Sequence, residues 1–254
     1  FNWYFRNDVL RLYENTAGSG GAYITTNQKF TDISAWYHIL LVYNTNESTN
    51  TNRVKIYING SQIAVSNLTV TNWPDEDYTN AEVVKSGNTM KIGASGSNSE
   101  DFDGYLSQTY FIDGQALAPS DFGETNDNGV WVPIKYTGTF GNNGVFLEYK
   151  QTGTSQNSSG MGADTSGNDN HFATSNHVAS DVVVDTPTNN FFTMNALGTI
   201  GATNQQQTNT DGMVNGNLEV VRTRSGGESD GAGSSISAFP QNGKWYYETK
   251  WESR

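Results

Sequence analysis

The stretch Arg53-Val-Lys-Ile-Tyr-Ile-Asn-Gly-Ser-Gln-Ile-Ala-Val65 decides the fold class. Val54, Ile56 and Ile58 fall at every second position and Arg53, Lys55 and Tyr57 fall between them. A period of two places the aliphatic groups on one face of a strand and the polar and aromatic groups on the other. Asn59-Gly60 follows, and these residue types supply the two positive φ angles that a type I′ hairpin turn requires. The expectation is a half-buried antiparallel hairpin.

Outward from this hairpin the same period dominates, and no long amphipathic helix interrupts it. Ala35-Trp-Tyr-His-Ile-Leu-Leu-Val-Tyr43 is nearly continuous in large apolar residues, which predicts a central strand covered on both faces. Residues 2–13 and 22–26 read as further strands, with the Asn/Thr-rich 44–52 as an exposed loop. Alternation stops at Trp73-Pro-Asp-Glu-Asp-Tyr78, where Pro74 removes a ladder donor, and a long surface loop is expected up to Thr89-Met-Lys-Ile-Gly93. Tyr105 to Ile112 is bulky at both parities and is expected to be a strand that is covered on both faces or bulged. A single helical turn at 119–122 and strands at 129–133 and 144–149 follow. Lys150 to Asn176 has the Gly/Ser/Asn-rich composition of a loop or linker. Beyond the polar connector 198–212, residues 216–224 and 243–250 read as strands of a new unit, too short to close a sandwich alone.

Composition narrows the function classes. Fourteen Lys+Arg against 26 Asp+Glu give a formal charge of -12, a field that repels phosphate backbones and anionic lipid surfaces. Nucleic acid is therefore not an expected partner. There is no cysteine, which excludes a disulfide framework, thiolate metal sites and a cysteine nucleophile. No apolar run of about eighteen residues marks a membrane span, and no basic segment followed by an apolar one marks a secretory signal. The chain starts at Phe1 and stops at Trp251-Glu-Ser-Arg254, directly after a strand-like segment, so it reads as an internal piece of a longer polypeptide.

Several segments taken together carry a family resemblance. Ser34-Ala-Trp-Tyr-His-Ile39, Asn52-Arg-Val-Lys-Ile-Tyr-Ile-Asn-Gly60, Ile92-Gly93, Phe102-Asp-Gly-Tyr-Leu106 and Phe111-Ile-Asp-Gly-Gln-Ala-Leu117 resemble, in order and spacing, the laminin G-like branch of the concanavalin A-like jelly rolls. That resemblance implies an all-β jelly-roll sandwich over 1–124, with its opening strands missing before Phe1. Ser120-Asp-Phe-Gly-Glu124, Gly129-Val-Trp-Val-Pro133, Lys135-Tyr-Thr-Gly138, Asp164-Thr-Ser-Gly-Asn168 and Asp185-Thr-Pro-Thr-Asn-Asn-Phe191 resemble a module of marine and cyanobacterial phage structural proteins. In those proteins a segment similar to Gly243-Lys-Trp-Tyr-Tyr-Glu248 opens a SPRY-type sandwich. The implied organisation is a jelly roll at 1–124, a strand-and-loop extension at 125–197, and the truncated start of a second β-sandwich at 198–254. The implied role is a non-enzymatic virion component on the particle surface, a tail fibre or head appendage, that attaches to host-surface glycan. Its expected partners are other virion subunits and further copies of itself, a trimer being the arrangement common in fibres. A purely architectural decoration protein and a glycan hydrolase are the alternatives.

Candidate site residues follow from chemistry. A sugar's C–H face lies well on an indole or phenol ring while carboxylates and amides take its hydroxyls, which singles out Trp73, Asp75, Asp77 and Tyr78 in one loop. The competing reading is that Trp73, followed by proline, seals the edge of the core. Asp101 and Asp103 flank a strand entry and read first as turn residues, with calcium as a second option because hard cations take several oxygens. No cofactor is required. Glycoside hydrolysis needs two carboxylates about 5–5.5 Å or about 6.5–9.5 Å apart. Asp101 with Asp103 and Glu248 with Glu252 have suitable parity but lie outside the close acidic run such enzymes carry. His38 sits in an apolar strand and reads as a core residue, and His171 and His177 lack metal-ligand spacing. Asp164-Thr-Ser-Gly-Asn-Asp-Asn170 lacks the terminal glutamate of an EF-hand loop and reads as a solvated Asx-turn.

Overall fold

The computed structural model describes residues 1–14, 20–32, 35–78, 89–94 and 101–188, and the backbone of 212–214 and 219–221. The chain divides into two compact units, Phe1–Val182 with Thr186–Thr188, and Val183–Asp185 with Asn189–Arg254. Within the second, Gly212–Val214 pairs antiparallel with Glu219–Val221, the latter inside the segment read as a strand. The strand expected at 243–250 lies outside the described residues, as does most of the expected second sandwich.

The first unit is built from antiparallel strands. Asn2–Arg6 (β1), Val9–Tyr13 (β2), Tyr23–Thr26 (β3) and Leu68–Asn72 (β7) form one sheet in the order β1-β2-β3-β7. Ile39–Tyr43 (β4), Val54–Ile58 (β5) and Ser61–Gln62 (β6) form another in the order β4-β5-β6. Alternation decides which side chains go inside. Leu10, Leu12 and Ile24 from the first sheet and Val54, Ile56 and Ile58 from the second meet in one buried cluster, to which Leu68, Val70 and Trp73 add partly buried surface. Residues 2–13, read as one strand, are a hairpin: Asn7 and Asp8 take φ of 53° and 65°, the two left-handed positions of a type I′ turn.

The hairpin at 53–65 forms as expected. Lys55 and Tyr57 lie on the outer face, and Asn59-Gly60 turns the chain at φ 47° and 77°. Arg53 does not share their face. It ends a one-turn helix, Asn50–Arg53, and is 8% exposed, because the extra turn rotates it off the strand's parity into the unit. Strand β4 also differs from expectation. Ile39, Leu41 and Tyr43 reach the core and Val42 is buried on the opposite side, so both faces are covered. Among the described residues, however, β4 stands at the end of its sheet.

The stretch Tyr105–Ile112 is largely not a strand. Only Thr109–Phe111 (β8) pairs, with Val145–Leu147 (β11), while Tyr105 and Leu106 are exposed. The rings of this part choose another partner: Tyr110 stacks on Phe146 at 4.2 Å, and Phe122, Tyr136 and Phe140 complete the group. Gly123–Thr125 (β9), pairing with Trp131–Pro133 (β10), spans residue 124, so side chains before and after that position share this aromatic cluster. Trp131 in turn packs over Gly60. A methyl group there would overlap the Trp131 ring, at a φ of 77° that already disfavours any side chain. Gly60→Ala is expected to cost about 2 kcal/mol in chemical denaturation, combining left-handed strain with overpacking. Restoration by a second change, Trp131→Leu, would identify the overpacking part. Among the described residues no helix is long and apolar enough to cross a membrane.

Candidate functional site

Trp73 follows β7 and begins the loop that Pro74 prevents from continuing the sheet. The loop is held from beneath by Arg53. Its Nε donates to the Glu47 carbonyl at 2.7 Å, Nη1 to the Pro74 carbonyl at 2.9 Å, and Nη2 to the Ser48 carbonyl and the Glu76 carboxylate, each at 3.1 Å. A planar guanidinium with donors in a fixed fork can close two loops at once, which an ammonium cannot do with the same geometry. The loop's other end is fastened by Asp77, at φ 52°, whose N–H donates to the Thr45 carbonyl at 2.9 Å. At the end of β7 the Asn72 side-chain amide donates to the Gly21 carbonyl, and the Asp75 N–H donates to the Gly20 carbonyl at 3.1 Å.

These contacts leave an open depression of ≈ 340 Å³ lined by Asn50, Arg53, Thr71, Asn72, Trp73 and Asp75 among others. Two of the four predicted sugar-binding residues, Trp73 and Asp75, line it. Asp77 and Tyr78 do not: Asp77 serves the loop backbone, and the Tyr78 ring lies against Gly20, where a Cβ would be 2.7 Å from it. Trp73 plays both parts considered for it, being half-buried against the core and facing the depression. Sequence reasoning missed Asn50, Arg53 and Asn72. The signal that could have found them is a lone arginine at the junction between a polar Asn/Thr loop and an apolar strand. Gly20, at φ 99°, is needed for Tyr78 to pack as it does, so Gly20→Ala is expected to displace the 73–78 loop and raise its amide exchange rates about tenfold.

Asp101 and Asp103 are both exposed and do not enter a buried strand. Asp101 makes an isolated antiparallel bridge to Ala94, and the Phe102 N–H donates to the Gly93 carbonyl at 2.8 Å. Among the described residues no three His, Asp or Glu side chains converge as a metal site. Glu248 and Glu252 lie outside the described residues.

None of the three histidines lines the depression. His38 is partly buried, burial lowers its pKa, and its ring lies 5.7 Å from that of Trp131. His171 accepts the Asp164 N–H at Nδ1 over 3.0 Å, which places its proton on Nε2 in the neutral form. His177 pairs at 3.4 Å with exposed Asp181.

Asp164 corrects the reading of its loop as solvated. It is 6% exposed, and its Oδ1 accepts the N–H groups of Phe146 and Ser166, each at 2.9 Å. Its Oδ2 accepts the Ser166 hydroxyl and the Asn170 N–H, also at 2.9 Å. The Asx-turn is present, but it is wrapped around a buried carboxylate that ties the Gly/Ser/Asn-rich segment to β11. Burial pushes this carboxyl's pKa up, and the donations outweigh that and hold it below the ordinary carboxylate range.

No curated protein and no solved structure matches the chain. Residues 1–121, which carry the two sheets around the aliphatic core and the depression, match the family model Laminin_G_3, the concanavalin A-like lectin/glucanases superfamily.

Proposed function

We propose that this chain is a non-enzymatic, lectin-like β-sandwich that binds glycan at the depression beside Trp73. The observation that carries the reading is the meeting of an aromatic ring, a carboxylate and two amides, those of Asn50 and Asn72, over a loop held rigid by Arg53. A ring that offers a flat apolar face beside fixed polar groups is the composition a sugar needs. Asp75 is the single carboxylate among the described residues lining the depression, which supports binding over a two-carboxylate hydrolysis. The jelly-roll topology, the boundaries at 124 and 197 and the SPRY-like continuation belong to this proposal through the sequence resemblance. So does placement on a phage particle as a tail fibre or head appendage, where repeated copies would add avidity to weak single contacts.

A glycan array with and without calcium tests the reading. Trp73→Ala is expected to weaken binding at least about tenfold, as loss of an aromatic anchor does, while Trp73→Phe retains most of it and reports on folding. Unchanged binding by Trp73→Ala overturns the site. Calcium dependence that disappears in Asp101→Asn would add Asp101 and Asp103 to it.

One observation favours the architectural reading. Phe102, Tyr105 and Leu106 are 43%, 50% and 43% exposed and lie close together in the chain, the kind of apolar surface that subunit contacts cover.

A further inference from the structure

We propose that the Trp73 depression accepts uncharged glycans and rejects those carrying carboxylate or sulfate groups; this rests on the glycan-binding reading above. The cation that could attract an anionic sugar is already spent. Arg53 is the only Lys or Arg among the described lining residues, and four of the five N–H donors of a guanidinium go to Glu47, Ser48, Pro74 and Glu76. Its charge is paired with Glu76 at 3.1 Å and its side chain is 10% exposed, so it presents little positive field outward. One Nη1 hydrogen remains, enough to meet a hydroxyl oxygen but not the bidentate pair of donations that holds a carboxylate.

The rim adds repulsion. Asp75, Glu76 and Asp77 are consecutive and exposed, and among the described residues no side-chain donor reaches Asp75, which lines the depression with its Oδ2 beside Gly20. An anionic group docked on Trp73 would stand beside that carboxylate in a chain whose formal charge is already -12. Like charges brought together disfavour the wrong ligand, whereas hydroxyls of a neutral sugar donate to Asp75 and accept from Asn50 or Asn72 without charge cost. The outcome is selection by charge class through an arginine used internally.

The test compares immobilised neutral mannan, glucan and galactan with carboxymethylated and sulfated derivatives of the same polymers. Binding is read from roughly 50 mM to roughly 300 mM salt. The neutral polymer that binds should do so with little salt dependence, and its anionic derivatives about tenfold or more weaker, the gap closing as salt rises. Glu76→Gln, at a half-exposed position, removes the negative charge paired with Arg53 while the backbone contacts of the guanidinium stay, and should narrow the gap by several fold, and Asp75→Asn should narrow it further. An anionic derivative that binds as well as its parent, and whose binding Trp73→Ala abolishes, overturns the charge selection and leaves glycan binding standing. Failure of every polymer, neutral or anionic, to bind removes the glycan reading and this inference with it.

Discussion

Asp164→Ala is expected to lower the stability of the first unit by about 4 kcal/mol, because three backbone N–H groups lose a buried acceptor at about 1–3 kcal/mol each. The three belong to Phe146, Ser166 and Asn170, and Phe146 is itself 1% exposed, so water cannot replace the carboxylate without opening the aromatic cluster. Asp164→Asn keeps Oδ1 for Phe146 and Ser166 but turns an amide toward the Asn170 N–H, and a cost of about 2 kcal/mol is expected. Urea unfolding followed by tryptophan fluorescence measures both. If Asp164→Ala costs less than about 1 kcal/mol, the carboxylate does not organise this segment.

The same group gives a pH dependence with a defined sign. Its folded pKa lies below the unfolded one, so its stabilisation is complete above the unfolded value and is lost as pH falls through the folded value. Stability should decline below about pH 4 in the unaltered chain. Asp164→Asn has no proton to bind there and should show a shallower decline. Equal slopes would mean that other carboxylates dominate acid unfolding.

Arg53→Met is expected to cost about 3 kcal/mol, the second largest effect, since several carbonyls are left without their donor. These are the carbonyls of Glu47, Ser48 and Pro74, and the Pro74 hydrogen bond is buried. The pairing with Glu76 contributes little to that figure, since Glu76 is 53% exposed and screened by solvent. Arg53→Lys should recover only a fraction, because one ammonium cannot reach both loops in a fixed plane. Glycan binding should fall together with amide protection in 73–78. A variant that unfolds no more easily but binds no glycan would make Arg53 a ligand contact instead of a loop fastener.

Local pattern carried the sheets. Val54, Ile56 and Ile58 point inward because a strand has a period of two, and Asn59-Gly60 turns because those residues tolerate positive φ; neither depends on distant parts of the chain. Long-range packing carried what the pattern misplaced. Parity assigned Arg53 to the outer face, and one helical turn at 50–53 overrode it. Two bulky parities in Tyr105–Ile112 promised a strand, covered on both faces or bulged, yet Tyr110 found its partners in Phe122, Phe140 and Phe146, all well beyond its own segment. The composition of 150–176 read as loop or linker and the segment is loop, but its Asx-turn at Asp164 read as solvated because a carboxylate serving four donors has the same letter as one in water.

By itself, then, the amino-acid order determined that the chain is mostly β, where the 53–65 hairpin turns, and that the surface is acidic, since these depend on neighbours within a few residues and on summed charge. The tertiary structure alone decided that Trp73 and Asp75 share a depression while Asp77 and Tyr78 do not, and that Arg53 and Asp164 are buried. Burial and convergence are set by which distant carbonyls, amides and rings arrive at the same place, and no local period encodes that.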